Sequence, residues 1–108
     1  MRWYRLALEL SSTASYPVPS KRMAAIVVRG GCVVSRATNL VGTCYPGKHA
    51  EVRALRPNRC YDGAVLYVAR RNGLSSRPCP LCWNASVEAG ISRVVYADGV
   101  GIIRSERT

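Results

Sequence analysis

His49, Glu51, Cys79 and Cys82 are the residues of this chain best equipped for chemistry. His49-Ala50-Glu51 places a carboxylate two residues after the chain's single histidine, and Pro78-Cys79-Pro80-Leu81-Cys82 adds two thiols at C-x-x-C spacing. One imidazole and two thiolates are the parts of a three-ligand zinc site. Structural zinc is normally held by four protein ligands, whereas catalytic zinc keeps one position for water. Zinc lowers the pKa of that water from 15.7 to roughly 7, so hydroxide is available at neutral pH. Glu51 is then placed to carry protons as general acid and base. A redox dithiol would leave His49-Ala50-Glu51 unexplained. A structural zinc module would want a fourth ligand, which Cys44 or Cys60 could supply.

The elements that must position these groups are legible around them. Lys48 to Arg56 follows Gly47 and stops at Pro57, which predicts a helix with His49 and Glu51 in its first turn. Pro80 suits a first helical position and Gly90 a helix end, so Cys79 to Ala89 reads as a second helix with both thiols at its N-terminus. Exposed amides and the helix dipole favour negative sulfur there. Upstream, Trp3, Leu6, Ala7 and Leu10 recur at helical spacing and predict an amphipathic first helix. Ser11 to Ser20 is a loop. Two strands, 24–28 and 32–35, flank Arg29-Gly30-Gly31 as a hairpin. Ala64 to Ala69 is apolar enough to be a central strand. Arg93 to Ala97 is a fourth, and Gly101 to Arg104 a short fifth after an Asp98-Gly99 turn. At 108 residues the chain has one core, a single domain spanning 1–108, and its element order implies an α/β protein with a mixed sheet covered by helices.

With these motifs and elements the chain resembles the deoxycytidylate and tRNA-adenosine deaminase branch of the cytidine deaminase-like superfamily, from about Lys21 to about Ala97. The segment Lys21 to Gly31 is also similar to small phage deaminases. His49-Ala50-Glu51-Val52-Arg53-Ala54-Leu55 and the Pro78 to Cys82 motif carry the likeness, and Gly90 to Tyr96 resembles the family's strand after the cysteine helix. The resemblance implies an α-β-α layered fold, with about five strands and helices on both faces. It also implies zinc-dependent hydrolytic deamination, with Glu51 protonating the ring nitrogen and the departing amine. By the same resemblance Asn39 touches the substrate sugar, the backbone at Ala50 and the segment before Pro78, including Ser76, line the base pocket, and Asp98 reads a neighbouring base. The chain differs from many family members in the segment Arg70 to Arg77, which separates the central strand from Pro78, and in Arg77 itself, where an acidic residue is common.

Sixteen Lys plus Arg against six Asp plus Glu give a net charge of +10. Such a balance attracts phosphate and makes polynucleotide binding salt-dependent. Nearly all these cations are arginine, the side chain suited to forked phosphate contacts and base stacking. Arg70, Arg71 and Arg77 fall near the expected zinc mouth and are candidate phosphate contacts; an ordinary solvated cationic face would look similar. Tyr45 and Tyr96 are placed to touch a flipped-out base, while Trp83 is expected to pack beneath the sheet.

Cys32, Cys44 and Cys60 are expected to be unpaired small core residues. No apolar signal peptide precedes Trp3, so a reducing, cytoplasmic compartment is expected. Nothing reaches membrane-spanning length, and no membrane partner is expected. The expected reaction is cytosine to uracil in single-stranded nucleic acid, DNA favoured. Alternatives are free deoxycytidylate or cytidine nucleotides, an adenine or guanine base, or a non-catalytic zinc-stabilised nucleic-acid-binding module. A monomer or a small homo-oligomer is compatible with the sequence.

Overall fold

Hydrophobic runs with glycine and proline punctuation produce the element order read from the sequence. The computed structural model describes residues 2–14, 16–18, 21–39, 49–56, 59–71, 75–100 and 102–108. The elements are α1 (Arg2–Ser11), β1 (Met23–Arg29), β2 (Cys32–Thr38), α2 (Ala50–Ala54), β3 (Val65–Arg70), α3 (Pro80–Glu88), β4 (Arg93–Ala97) and β5 (Ile103–Arg107). They build one five-stranded sheet in the order β2-β1-β3-β4-β5. Only β3 and β4 run parallel; the other pairs are antiparallel. β3 is central, as its apolar run predicts.

The three inner strands are buried on both faces. Ala25, Val27, Leu66, Val68, Val94 and Tyr96 face a core shared with Ala50 and Ala54 of α2. The alternate residues Ile26, Val28, Ala69, Val95 and Ala97 face Tyr4 and Ala7 of α1. This is the side-chain period of two applied to a sheet with helices on each side, and it explains why these strands read as continuous apolar runs rather than alternating ones.

Gly30 and Gly31 join β1 and β2 with φ of 60° and 77°, the left-handed pair that a two-residue type I′ hairpin requires. Val28 pairs with Val33 but Val27 pairs with Ser35, so β2 carries one extra residue. That shift turns Ser35 toward α2, where its hydroxyl donates to the Ala54 carbonyl at 2.6 Å. The sheet thereby holds the C-terminal end of a helix only five residues long.

Several expectations are corrected. Of the expected α1 stripe Trp3, Leu6, Ala7 and Leu10, Ala7 is buried and Trp3 and Leu10 pack partly buried against the core, but Leu6 is 37% exposed, and Tyr4 and Ser11 are buried in its place. α2 is shorter than Lys48 to Arg56, with His49 as its N-cap and Leu55 as its C-cap. β5 starts later than Gly101, because Asp98 organises the preceding turn: its backbone N–H donates to the Ile102 carbonyl, and its carboxylate accepts from the amides of Val100 and Ile102. Cys32 and Cys60 are exposed rather than core residues; Cys32 opens an edge strand and Cys60 lies in the loop before β3. Cys44 lies outside the described residues.

α3 ends as its sequence predicts. Gly90 at φ 91° follows the C-cap Ala89, its N–H donating to Val87 O and that of Ile91 to Ser86 O, the paired bonds of a Schellman ending. A Cβ on Gly90 would meet Asp62 Oδ1 at 2.1 Å and the Asp62 Cα at 3.0 Å. Gly90→Ala should therefore cost about 1–3 kcal/mol, from a strained backbone added to a clash. Chemical denaturation checks this; an unchanged midpoint would show that the 61–63 loop gives way freely.

Candidate active site

The site forms where the chain leaves the C-terminal ends of the parallel strands β3 and β4, the usual place for ligands on such sheets. After β3 the chain is stitched down by Ser76. Its hydroxyl donates to Val68 O at 2.7 Å and accepts from the Ala97 amide at 2.9 Å, and its own amide donates to Ala97 O. Pro78 is fully buried, and Cys79 follows as the N-cap of α3.

His49 and Cys79 occupy the same position on their helices. Each is an N-cap with extended backbone, ψ 145° and 164°, and neither side chain makes a capping hydrogen bond. Side chains that would ordinarily satisfy the helix start are instead free to turn toward a shared point. Cys82, one turn into α3, is buried beneath them.

His49 Nδ1 lies 3.2 Å from Cys82 Sγ and 3.8 Å from Cys79 Sγ, and all three ligand atoms fall within 4.8 Å of one another. A tetrahedral zinc ion would set nitrogen and sulfur about 3.6 Å apart and two sulfurs about 3.8 Å apart. The donor set fits the metal without rearrangement of either helix, with Nδ1 as the ligating nitrogen. Among the described residues this is the cluster able to hold a metal ion. Cys60 is outside it, so that residue does not supply the fourth ligand a structural site would want.

Glu51 is 3% exposed. Burial pushes its carboxyl above the usual carboxylate range, opposed by its own backbone amide, the nearby His49 and a hydrogen bond with Cys82. Neither of the two ion pairs among the described residues involves it. The Cys82 thiol is pushed well up, first by burial and then by Glu51. A divalent cation reverses this balance by drawing the proton from the sulfur.

The remaining residues singled out in the sequence have varied placements. The backbone of Ala50 is buried beside the ligands. Asn39 pins the strand ends: its Oδ1 accepts from the Met23 amide and its Nδ2 donates to Lys21 O, both at 2.9 Å. The Ser76 hydroxyl is consumed in the stitch described above. Arg70 ends β3, and the exposed Arg71 donates its amide to Arg22 O. Asp98 accepts from Arg104 Nε at 2.8 Å in addition to its turn contacts. Tyr45 lies outside the described residues.

Arg77, Trp83, Tyr96 and Glu106 form a cluster beside Cys79 that no local sequence signal revealed. The Arg77 guanidinium sits 4.8 Å from the Trp83 ring centroid and 5.8 Å from that of Tyr96, and 3.3 Å from Glu106 Oε2. Trp83 packs against the core with its indole, and Tyr96 donates its hydroxyl to Glu106. That bond, followed by Arg77, holds the Glu106 carboxyl below its ordinary value of 4.5. A depressed carboxyl contributes stability that is complete above the ordinary value and is lost as pH falls through the lowered one. Wild type and Glu106→Gln should therefore differ in thermal midpoint at neutral pH and converge in acid. A difference that persisted unchanged into acid would exclude the carboxylate charge as its source.

Comparison with known proteins agrees with this geometry. The profile of the cytidine and deoxycytidylate deaminase zinc-binding region matches residues 1–98. No curated protein sequence matches the chain. Among solved structures, the dCMP deaminase of cyanophage S-TIM5 in apo form superposes with a TM-score of 0.64 at 22% identity, covering 85% of this chain and 76% of that one. The diaminohydroxyphosphoribosylaminopyrimidine deaminase/reductase of Thermotoga maritima superposes with a TM-score of 0.60 at 22% identity, covering 83% of this chain and 26% of that one. RibD of Acinetobacter baumannii gives 0.57 at 25% identity, with 85% and 26% covered. The chain belongs to the zinc-dependent cytidine and deoxycytidylate deaminase family, and zinc is the cofactor its His-Cys-Cys site fits.

Proposed function

We propose that the protein deaminates cytosine to uracil in a phosphate-bearing substrate, with single-stranded nucleic acid as the favoured form. The observation that carries the reaction is Glu51: a buried carboxylate touching Cys82, within two residues of His49 and outside both ion pairs of the described residues. Such a group is costly to the fold and belongs to chemistry. Zinc, when bound by His49, Cys79 and Cys82, supplies activation of water at neutral pH. Glu51 takes one proton as water adds to C4 and passes it to the ring nitrogen; it then takes the second proton from the new C4 hydroxyl and delivers it to the exocyclic amine as the C4–N bond breaks. The amine leaves as ammonia, and the carbonyl of uracil takes its place. The two thiolates require a reducing compartment, which we take to be the cytoplasm.

The +10 charge supports a polynucleotide, and Arg70, which ends β3, and Arg71, which follows it, lie where the chain leaves the sheet toward Cys79. Free deoxycytidylate is the second reading. It draws support from the likeness to the S-TIM5 dCMP deaminase, solved in complex with dCMP and dUMP, and from the engagement of Arg77 by Glu106.

Zinc-loaded protein incubated with a cytosine-containing DNA oligonucleotide, matching RNA, an adenine-only oligonucleotide, deoxycytidylate and cytidine tests this reading. Mass spectrometry would detect the gain of about one dalton as an amine becomes an oxygen. Oligonucleotide conversion is expected, with affinity falling in salt by a slope of about 0.7 per phosphate contacted. Conversion of deoxycytidylate alone would select the second reading. Conversion of the adenine oligonucleotide alone would overturn cytosine, and no conversion would overturn the reaction.

A further inference from the structure

Beside the edge strand β2, a cavity of about 310 Å³ is lined by three arginines: Arg36 of β2, Arg53 of α2, and Arg56 just beyond α2. Thr13 and Thr38 add hydroxyls and Leu10 an apolar wall; among the described residues no carboxylate lines it. We infer that this cavity is a phosphate subsite, built to hold the phosphate of the substrate whose base reaches the zinc ligands.

Three features support this. The first is chemical: guanidinium groups present forked donors, and three of them around one concavity match the oxygens of a phosphate better than a single carboxylate. Neither ion pair of the described residues involves Arg36, Arg53 or Arg56.

The second is order. The Arg53 guanidinium donates to the Thr38 carbonyl, so its side chain is tied across the cavity instead of trailing into solvent. Thr38 precedes Asn39, whose two side-chain bonds fix that end of β2 against the start of β1. The anchoring arginine is thus positioned by the backbone before any ligand arrives, which reduces the ordering cost of binding.

The third is placement. Arg53 lies four residues after His49, about 6 Å along the helix from the metal ligand. Thr38 pairs with Ala24 and Met23 with Arg70, so Thr38 lies at the end of the sheet from which the chain leads to the ligands; Arg36, opposite Ile26, faces the α1 side, and Arg53 reaches around the edge strand from the α2 side.

The identity of the ligand as substrate rests on the deaminase reading; the binding of phosphate does not. Arg36→Ala and Arg56→Ala in the full chain with zinc test the inference, since both side chains are exposed and neither removes the Arg53 tether. Arg107→Ala, on the opposite edge strand β5, makes the same change in net charge. Calorimetry would measure binding of deoxycytidylate, deoxycytidine, inorganic phosphate and a single-stranded oligonucleotide. Each cavity variant is expected to weaken deoxycytidylate and phosphate about tenfold or more, the loss expected for a charge-assisted hydrogen bond, and to leave deoxycytidine unchanged. Arg107→Ala is expected to change none of them. Parallel loss of oligonucleotide binding would assign the phosphate to a polynucleotide, and its retention would assign it to a free nucleotide. Equal loss in Arg107→Ala, or no loss in Arg36→Ala and Arg56→Ala, would overturn the subsite. If no substrate were turned over yet phosphate binding still depended on Arg36 and Arg56, the deaminase reading would fall and the subsite would stand.

Discussion

Glu51→Gln is expected to lower turnover by about 10²–10⁴, the usual contribution of a positioned general acid and base, while zinc content stays at the wild-type level. Glutamine keeps the shape of the side chain and can still hydrogen-bond, but it cannot exchange a proton. Stability should hold or rise, by on the order of 1 kcal/mol, because a buried carboxyl that the fold penalises is replaced by a neutral amide. A simultaneous loss of activity and gain in stability is characteristic of a residue retained for chemistry. Metal analysis, denaturation and single-turnover kinetics on one preparation would check all three expectations. Wild-type turnover in the variant would remove Glu51 from the reaction.

Loss of zinc should have the second large effect, on both activity and fold. Held by His49, Cys79 and Cys82, the metal would join the N-cap of α2 to the N-cap and first turn of α3, two helices from different parts of the chain. A helix of five residues has no stability of its own, since nucleation alone outweighs what so few bonds return. It is held by Ala50 and Ala54 in the core, by Ser35 at its end, and by His49 at its start. Binding at a thousandfold excess over Kd is worth about 4 kcal/mol, so chelation or Cys82→Ala should lower the thermal midpoint by roughly 15 °C or more. Activity should vanish with the metal and return on adding zinc to chelated wild type, but not to Cys82→Ala. A midpoint indifferent to chelation would show that the three ligands hold no metal.

Much of the ligand set was readable because its spacing is local. His49 and Glu51 are two residues apart, Cys79 and Cys82 three, and helix geometry converts such separations directly into positions around a helix start. The strands were readable for the same reason: β1, β3 and β4 are apolar without interruption, and Gly30-Gly31 and Gly90 mark turns whose backbone angles other residues resist. Arg53 carried a signal that could have been used, since a residue four after His49 falls on the same side of the helix.

What depended on distant partners was not readable. Leu6 shares the helical period of Trp3, Ala7 and Leu10 yet is exposed, while Tyr4 and Ser11 are buried, a choice that only docking on β1 and β3 made. Asn39 and Ser76, which the resemblance alone assigns to the substrate, have side chains that close backbone bonds between segments brought together by the sheet. Glu106 meets Arg77 and Tyr96 across 29 and 10 residues, and Arg36 joins Arg53 and Arg56 only because the extra residue in β2 and the short helix α2 set one cavity between them. The sequence by itself determined the His-Cys-Cys donor set, the carboxylate two residues from His49 and the order of elements, since each rests on neighbours along the chain. Tertiary structure decided which surfaces are buried and which cations converge, because those are properties of packing between elements and no local pattern encodes them.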